Sequence, residues 1–138
     1  MADRVTEARD VVAAYLAASM AGDAEEARRY LAPDCVIVFT GGRVMNDPAE
    51  PPAFNARRYA RVQKRPLRTD AVADAATGCV HVWTTGHLHG AWPDGTPFDG
   101  NRYVDFFAVR DGLIRRTEVW NDSAEILLHR AGLAETPL

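Results

Sequence analysis

The positions Val5, Ala8, Val12, Tyr15, Leu16 and Ser19 recur at helical spacing, with Arg4, Glu7, Arg9 and Asp10 mostly elsewhere around the same turn pattern. Gly22 ends this first predicted helix. Asp23 then caps a second, short one, with Glu26 three residues on completing a capping box and Pro33 just beyond its end. Cys35 to Thr40 is β-branched and apolar, the pattern of a buried strand, and Gly41 to Pro52 reads as loop. A third helix is predicted from about Ala53 to Lys64, stopping before Pro66, and Leu67 to Ala76 reads as a weaker strand. Three long strands follow, and a C-terminal helix capped by Ser123 and ended by Gly132 closes the chain. Asn121 and Asp122 close the last strand, with Asp122 a candidate cap for that helix. No repeat or low-complexity segment interrupts this order, which is that of a single α+β domain over residues 1–138.

Two turns set the expected register of the long strands. Trp92-Pro93-Asp94-Gly95-Thr96 and Val109-Arg110-Asp111-Gly112-Leu113 each place Asp before a Gly suited to positive φ, as a type I turn closing into a bulge requires. Counting back from them gives the rows His87-Asn101-Asn121, Thr85-Tyr103-Val119, Trp83-Asp105-Thr117 and His81-Phe107-Arg115 on one face. If Asp111-Gly112 instead form a two-residue I′ turn, the last strand slips by one and Glu118 and Trp120 take that face. Arg110 suits the type I turn, which favours the first register. The opposite face carries Val80, Val82, Leu88, Val104, Phe106 and, in the slipped register's complement, Trp120. Helices in a chain this size cover only one face, so a homodimer through the outer sheet face is expected.

Composition narrows the class. The 138 residues are 47% hydrophobic and 25% charged, as in ordinary globular proteins, and a net charge of −3 gives no reason to expect nucleic acid. No apolar run approaches the roughly 20 residues of a membrane span. The N-terminus is an acid-containing amphipathic helix rather than a signal peptide, and Cys35 and Cys79 read as reduced core residues of a cytoplasmic protein.

Candidate chemistry centres on Asp105. A carboxylate among Trp83, Tyr103 and Phe107, edged by His87, Asn101 and Asn121, is a mixture that cores avoid and small-molecule pockets use. Its competing reading is an Asp that simply locks helix to sheet through the Thr117 hydroxyl or Tyr15. Tyr15 is either a pocket donor or a core residue. His87 can shuttle protons near neutral pH, while the His81-His87-His89 alternation lacks a well-placed acidic or Cys partner for a metal. Arg57, Arg61, Lys64, Arg65 and Arg68 form a basic stripe at helical spacing, a solvated face or an attractor of a carrier-protein or coenzyme A phosphate.

The segments "VVAAYLAASMAGDAEEARRYLAPDCVIV" and "GNRYVDFFAVRDGLIRRTEVWNDSAEILL" resemble the NTF2-like superfamily, and within it the SnoaL-like polyketide cyclases, ketosteroid isomerases and phenazine-biosynthesis proteins. The resemblance implies an NTF2-like cone: three N-terminal helices against a curved, mostly antiparallel sheet, with a short C-terminal helix. Ketosteroid isomerases carry a Tyr shortly before an "AGD"-like turn, where Tyr15 stands, and an Asp in a "VDFF"-like motif, where Asp105 stands. In that family both donate to an enolate oxygen, the Asp being held protonated by apolar surroundings. The isomerases' carboxylate base late in the first strand corresponds here to Phe39. The final Asp of the related epoxide hydrolases falls on Thr117 or Val119, and the last-strand Glu of the phenazine proteins, which share "HVWTTG", falls on Val119.

The expectation is therefore cofactor-independent acid/base chemistry (isomerisation, cyclisation or dehydration, in the manner of an isomerase or lyase of secondary metabolism) on a small hydrophobic carbonyl or polyketide-like metabolite. Asp105, Tyr15 and His87 would be catalytic. Trp83, Tyr103, Phe107, Phe39, Thr85, Thr117, Val119, Asn101 and Asn121 would line the pocket, with no metal and no cofactor. The alternatives are a non-catalytic ligand binder and an accessory domain whose pocket is filled by its own side chains.

Overall fold

The computed structural model describes residues 3–135. Its elements run α1 (Arg4–Met20), α2 (Ala24–Arg28), β1 (Leu31–Phe39), a 3-10 turn (Thr40–Gly42), β2 (Arg43–Met45), α3 (Glu50–Arg58), β3 (Arg61–Ala73), β4 (Val80–Ala91), β5 (Pro97–Arg110), β6 (Leu113–Asn121) and α4 (Ser123–Arg130). The strands form one sheet in the order β2-β1-β6-β5-β4-β3, antiparallel except where β1 lies parallel to β6. This is the α+β cone that the sequence implies, with α1 across the inner face. Among the described residues no helix is long and apolar enough to cross a membrane.

Local chemistry explains most element ends. Asp3 accepts from the Thr6 amide and Asp23 from the Glu26 amide, each satisfying a donor that a helix start leaves open. Glu26 does not reach back to complete the box; its carboxylate instead takes Tyr30 Oη at 2.8 Å and Arg29 Nη1 at 3.0 Å. Ala8, Val12, Tyr15 and Ala18 are the buried stripe of α1. They pack on Ile37, Val82, Phe107 and Ile114 of the sheet. Both cysteines are free and buried.

The segment between β1 and β4 departs from expectation. The predicted loop of residues 41–52 contains β2, and α3 begins early, with prolines in its first turn, where a missing amide costs nothing. α3 ends at Arg58 rather than at Lys64. From Arg61 the chain is a strand that pairs with β4 from Arg61↔Ala91 to Val72↔His81 and on to Ala73↔Val80. Pro66 bars a helix through the preceding residues, yet an edge strand tolerates it, and the register shifts beside it. The basic stripe is thereby broken up. Arg65 pairs with Asp99 and Arg68 with Asp70, while Lys64 turns inward.

Two bulges reset the register of the long strands. The first turn forms as predicted, with the Trp92 amide donating to Thr96 O and the Gly95 amide to Trp92 O, both at 2.9 Å. Gly100 (φ 99°) then interrupts the β4–β5 ladder between His89↔Asp99 and Leu88↔Asn101. That extra residue flips β4 relative to the expected rows. Trp83, Thr85 and His87 therefore face outward, opposite Phe106, Val104 and Arg102, and Val80, Val82 and Leu88 face inward. The second turn is the two-residue kind, with Asp111 at φ 53° and Gly112 at φ 75°. Alone it would slip β6 by one. A second bulge between Ala108 and Val109 adds a further step, so Asp105 faces Val119, Tyr103 faces Asn121 and Phe107 faces Thr117. Val119 and Asn121 thus stay inside, though the turn is the one the sequence disfavoured.

The outer face carries an aromatic row. Trp83 stacks on Trp120 with ring centroids 6.4 Å apart and meets Phe106 at a tilt, 4.7 Å away, and His81 meets Phe106 at 5.2 Å. The two tryptophans are 40% and 49% exposed, which marks this face as the apolar surface left uncovered by the helices.

Candidate functional site

Asp105 is carried inward by the alternation of β5, between Tyr103 and Phe107, and is 1% exposed. Its Oδ2 receives the ammonium of Lys64, which comes from two strands away across the inner face. Oδ1 has no hydrogen-bond partner among the described residues. The Lys64 Nζ also lies 4.9 Å from the centroid of the Tyr103 ring, so one cation meets a carboxylate and a π face together. A buried carboxylate needs such a counter-charge, and the edge strand supplies it.

These groups form one wall of a cavity of about 290 Å³. The sheet contributes Val62, Lys64, Leu88, Tyr103, Asp105, Val119 and Asn121; Phe39 stands at the end of β1. Met20, Asn55, Ala56 and Tyr59 close it from the helical side. The lining is mainly apolar with a few convergent polar groups, the usual composition of a small-molecule site. Tyr103 is kept neutral to unusually high pH: burial, and secondarily the charge of Asp105, raises its phenol to about 12. Its ring lies across Gly86, its partner on β4, where a Cβ would meet Tyr103 Cε2 at 2.8 Å and Oη at 2.9 Å. Glycine at that position makes room for the ring.

A buried polar junction holds the far end. Ser123 Oγ accepts from Tyr59 Oη at 2.6 Å and from Asn101 Nδ2 at 3.1 Å, and the Ser123 amide donates to Asn121 Oδ1 at 3.1 Å. Ser123 is therefore the first residue of α4 and a bracing acceptor, not its cap. Asp122 occupies the cap position without a side-chain bond to the helix and pairs with Arg102 at 2.6 Å. That guanidinium holds the Asp122 carboxyl below its usual range.

The expected site residues divide accordingly. Asp105, Tyr103, Phe39, Val119 and Asn121 line the cavity. Phe107, Thr117 and Asn101 face inward but are buried in the packing beside it, none more than 2% exposed. Tyr15 lies edge-on against Phe107 at 5.9 Å and is not part of this cavity's lining; burial, then the neighbouring Cys35 and Asp105, raises its phenol far above the usual range. Trp83, Thr85 and His87 are on the opposite face, because the Gly100 bulge reverses β4 relative to β5. Among the described residues no group of three His, Cys, Asp or Glu side chains converges as a metal site would need.

Lys64 was not foreseen. The alternation of Val62 and Lys64 ahead of Pro66 was the available signal, but four basic residues nearby suit a helix face equally well. Asn55 and Tyr59 come from the end of α3, whose boundary was the misplaced one, and Met20 comes from the end of α1.

The SnoaL-like domain model matches residues 12–117. None of the curated proteins matches the chain in sequence. Among solved structures, a protein described as a SnoaL-like polyketide cyclase from Jannaschia sp. CCS1 superposes with a TM-score of 0.74 at 16% identity, covering 99% of each chain. A protein described as a polyketide cyclase from Xanthomonas campestris pv. campestris gives 0.70 at 22% identity, over 96% of this chain and 100% of its own. An NTF2-like protein of unknown function from Burkholderia pseudomallei gives 0.70 at 16%, over 88% and 95%. At such identities these structures share the cone and no more, whereas the domain model spans most of the chain, both the opening helix and the strand that carries Asp105. The chain belongs to the SnoaL-like domain family and has the NTF2-like fold.

Proposed function

We propose that this protein performs cofactor-independent acid/base chemistry on a small hydrophobic carbonyl metabolite of polyketide type, an isomerisation, cyclisation or dehydration that begins with enolisation. The observation that carries this reading is the Asp105 carboxylate at the cavity wall, one oxygen held by Lys64 and the other unpartnered. Such a carboxylate can accept a proton from the carbon beside a carbonyl and return it elsewhere on the substrate. The Lys64 ammonium stands where it can offset negative charge developing on the substrate oxygen, in place of a second donor from Tyr15. Phe39, Tyr103 and Val119 would hold the apolar body. His87, turned outward, has no part in this scheme.

The SnoaL-like relatives described as polyketide cyclases support the substrate class. Non-catalytic binding of the same kind of molecule is the second reading, favoured by Phe39 where the ketosteroid isomerases carry a base. We also propose a homodimer through the outer aromatic face of Trp83, Phe106 and Trp120, supported by the exposure of the two tryptophans. Deuterium exchange into 2-tetralone, followed by NMR, tests the reaction. The wild-type protein should accelerate exchange, and Asp105→Asn should cut that acceleration by about 10²–10⁴-fold while still binding the ketone. Exchange no faster than buffer leaves only the binding reading.

A further inference from the structure

A second cavity, of about 390 Å³, lies between α1 and β3. Its helical wall is Val12, Leu16 and Met20, spaced one turn apart, and its sheet wall includes Pro66, Thr69 and Thr84. It shares Met20, Lys64 and Tyr103 with the cavity of Asp105. Three side chains therefore partition the space under α1. Two of them, Met and Lys, are unbranched and flexible, so the partition is one that a ligand can move.

Two buried polar groups of the inner face meet at this partition. Thr84 is the β4 partner of Asp105, and its Oγ1, like Asp105 Oδ1, is buried without a hydrogen-bond partner among the described residues. Buried polar atoms are ordinarily satisfied, and two orphans side by side at the junction of two apolar chambers await a ligand's polar atoms. Either chamber alone is near the small end of the roughly 300–1,000 Å³ that ligand sites occupy.

We infer that the two chambers are the two ends of one site, whose ligand is an elongated molecule with an enolisable or acidic oxygen function at its middle and an apolar arm on each side. The middle meets Lys64, Asp105 and Thr84; one arm lies toward Phe39 and Val119, the other toward Leu16 and Pro66. The inference rests on the Asp105–Lys64 pair being the site proposed above, and adds the shape of its ligand.

The test compares 1,3-diphenylpropane-1,3-dione, with two arms about an enolisable centre, and 1-phenylbutane-1,3-dione, with one. Titration calorimetry should give the two-armed probe about tenfold tighter binding to the wild-type protein, the gain of burying a further ring. Ala13→Trp and Ala17→Trp, at exposed helix positions that line only the second chamber, should each bring the ratio down to about one, as expected when the second ring has nowhere to bury. A wild-type ratio near one, or a ratio that survives in both folded variants, overturns the inference. A retained ratio with no 2-tetralone exchange would sink the acid/base reading and keep the two-armed site; exchange without the ratio would do the reverse.

Discussion

The ammonium of Lys64, on the edge strand, engages one oxygen of the Asp105 carboxylate on one of the sheet's two central strands and leaves the other oxygen without a partner among the described residues. The two residues are 41 apart in the chain. Removing one charge of a buried pair exposes the other to its full desolvation penalty. Lys64→Met should therefore destabilise the fold by about 3 kcal/mol, and Lys64→Met combined with Asp105→Asn should recover most of that loss. Urea denaturation of the four proteins closes the cycle. A loss in the double variant equal to the sum of the two single losses would show that the pair is not coupled.

Tyr103 packs over Gly86, where any Cβ meets the ring and the backbone of β3. Gly86→Ala should cost about 1–3 kcal/mol, as overpacking does, and should push the ring toward the cavity. A thermal melt reports the first effect and loss of 1-phenylbutane-1,3-dione binding the second. A stable variant with unchanged binding would show the site more accommodating than the contacts imply.

All four tyrosines, Tyr15, Tyr30, Tyr59 and Tyr103, have phenols raised above their ordinary range, by burial first for three of them and by the Glu26 hydrogen bond for Tyr30. A raised folded pKa means that the native state holds its protons longer than the unfolded chain does. That contribution to stability is complete below about pH 10 and is lost as pH climbs toward the value of about 12 for Tyr103. Absorbance at the tyrosinate band should accordingly lag behind that of the denatured chain from about pH 10 upward, then rise with alkaline unfolding. Coincident titration of the native and denatured proteins would contradict the burial of these rings.

Trp83 and Trp120 stack in the open on the outer face. If a second copy covers them, Trp83→Glu should convert a dimer to a monomer in sedimentation velocity while leaving the far-ultraviolet spectrum unchanged. A wild-type protein that sediments as a monomer at micromolar concentration would remove the dimer proposal.

Much of the architecture was legible because local rules and burial agreed. The α1 stripe of Ala8, Val12 and Tyr15, the Asp23 cap, the Trp92–Thr96 turn and the inward Asp105 all follow from spacing and turn chemistry within a few residues. The faces of β4 did not follow, since one residue decides them: Gly100, the one glycine of β5, adds a step that an uninterrupted count back from the turn does not contain. β6 kept its expected inward residues only because two one-residue steps, the disfavoured I′ turn and an unforeseen bulge beside it, add up to two and restore the alternation.

Periodicity and capping, which act over one or two turns of chain, made most of the element order and an inward acid on the strand of Tyr103 and Phe107 legible, and the family resemblance supplied the cone. What that acid meets is set by tertiary contacts. Lys64 reaches it, and Trp83 and His87 turn away from it, through strand pairings and bulges whose energies depend on residues far apart in the chain and brought together only in the folded sheet.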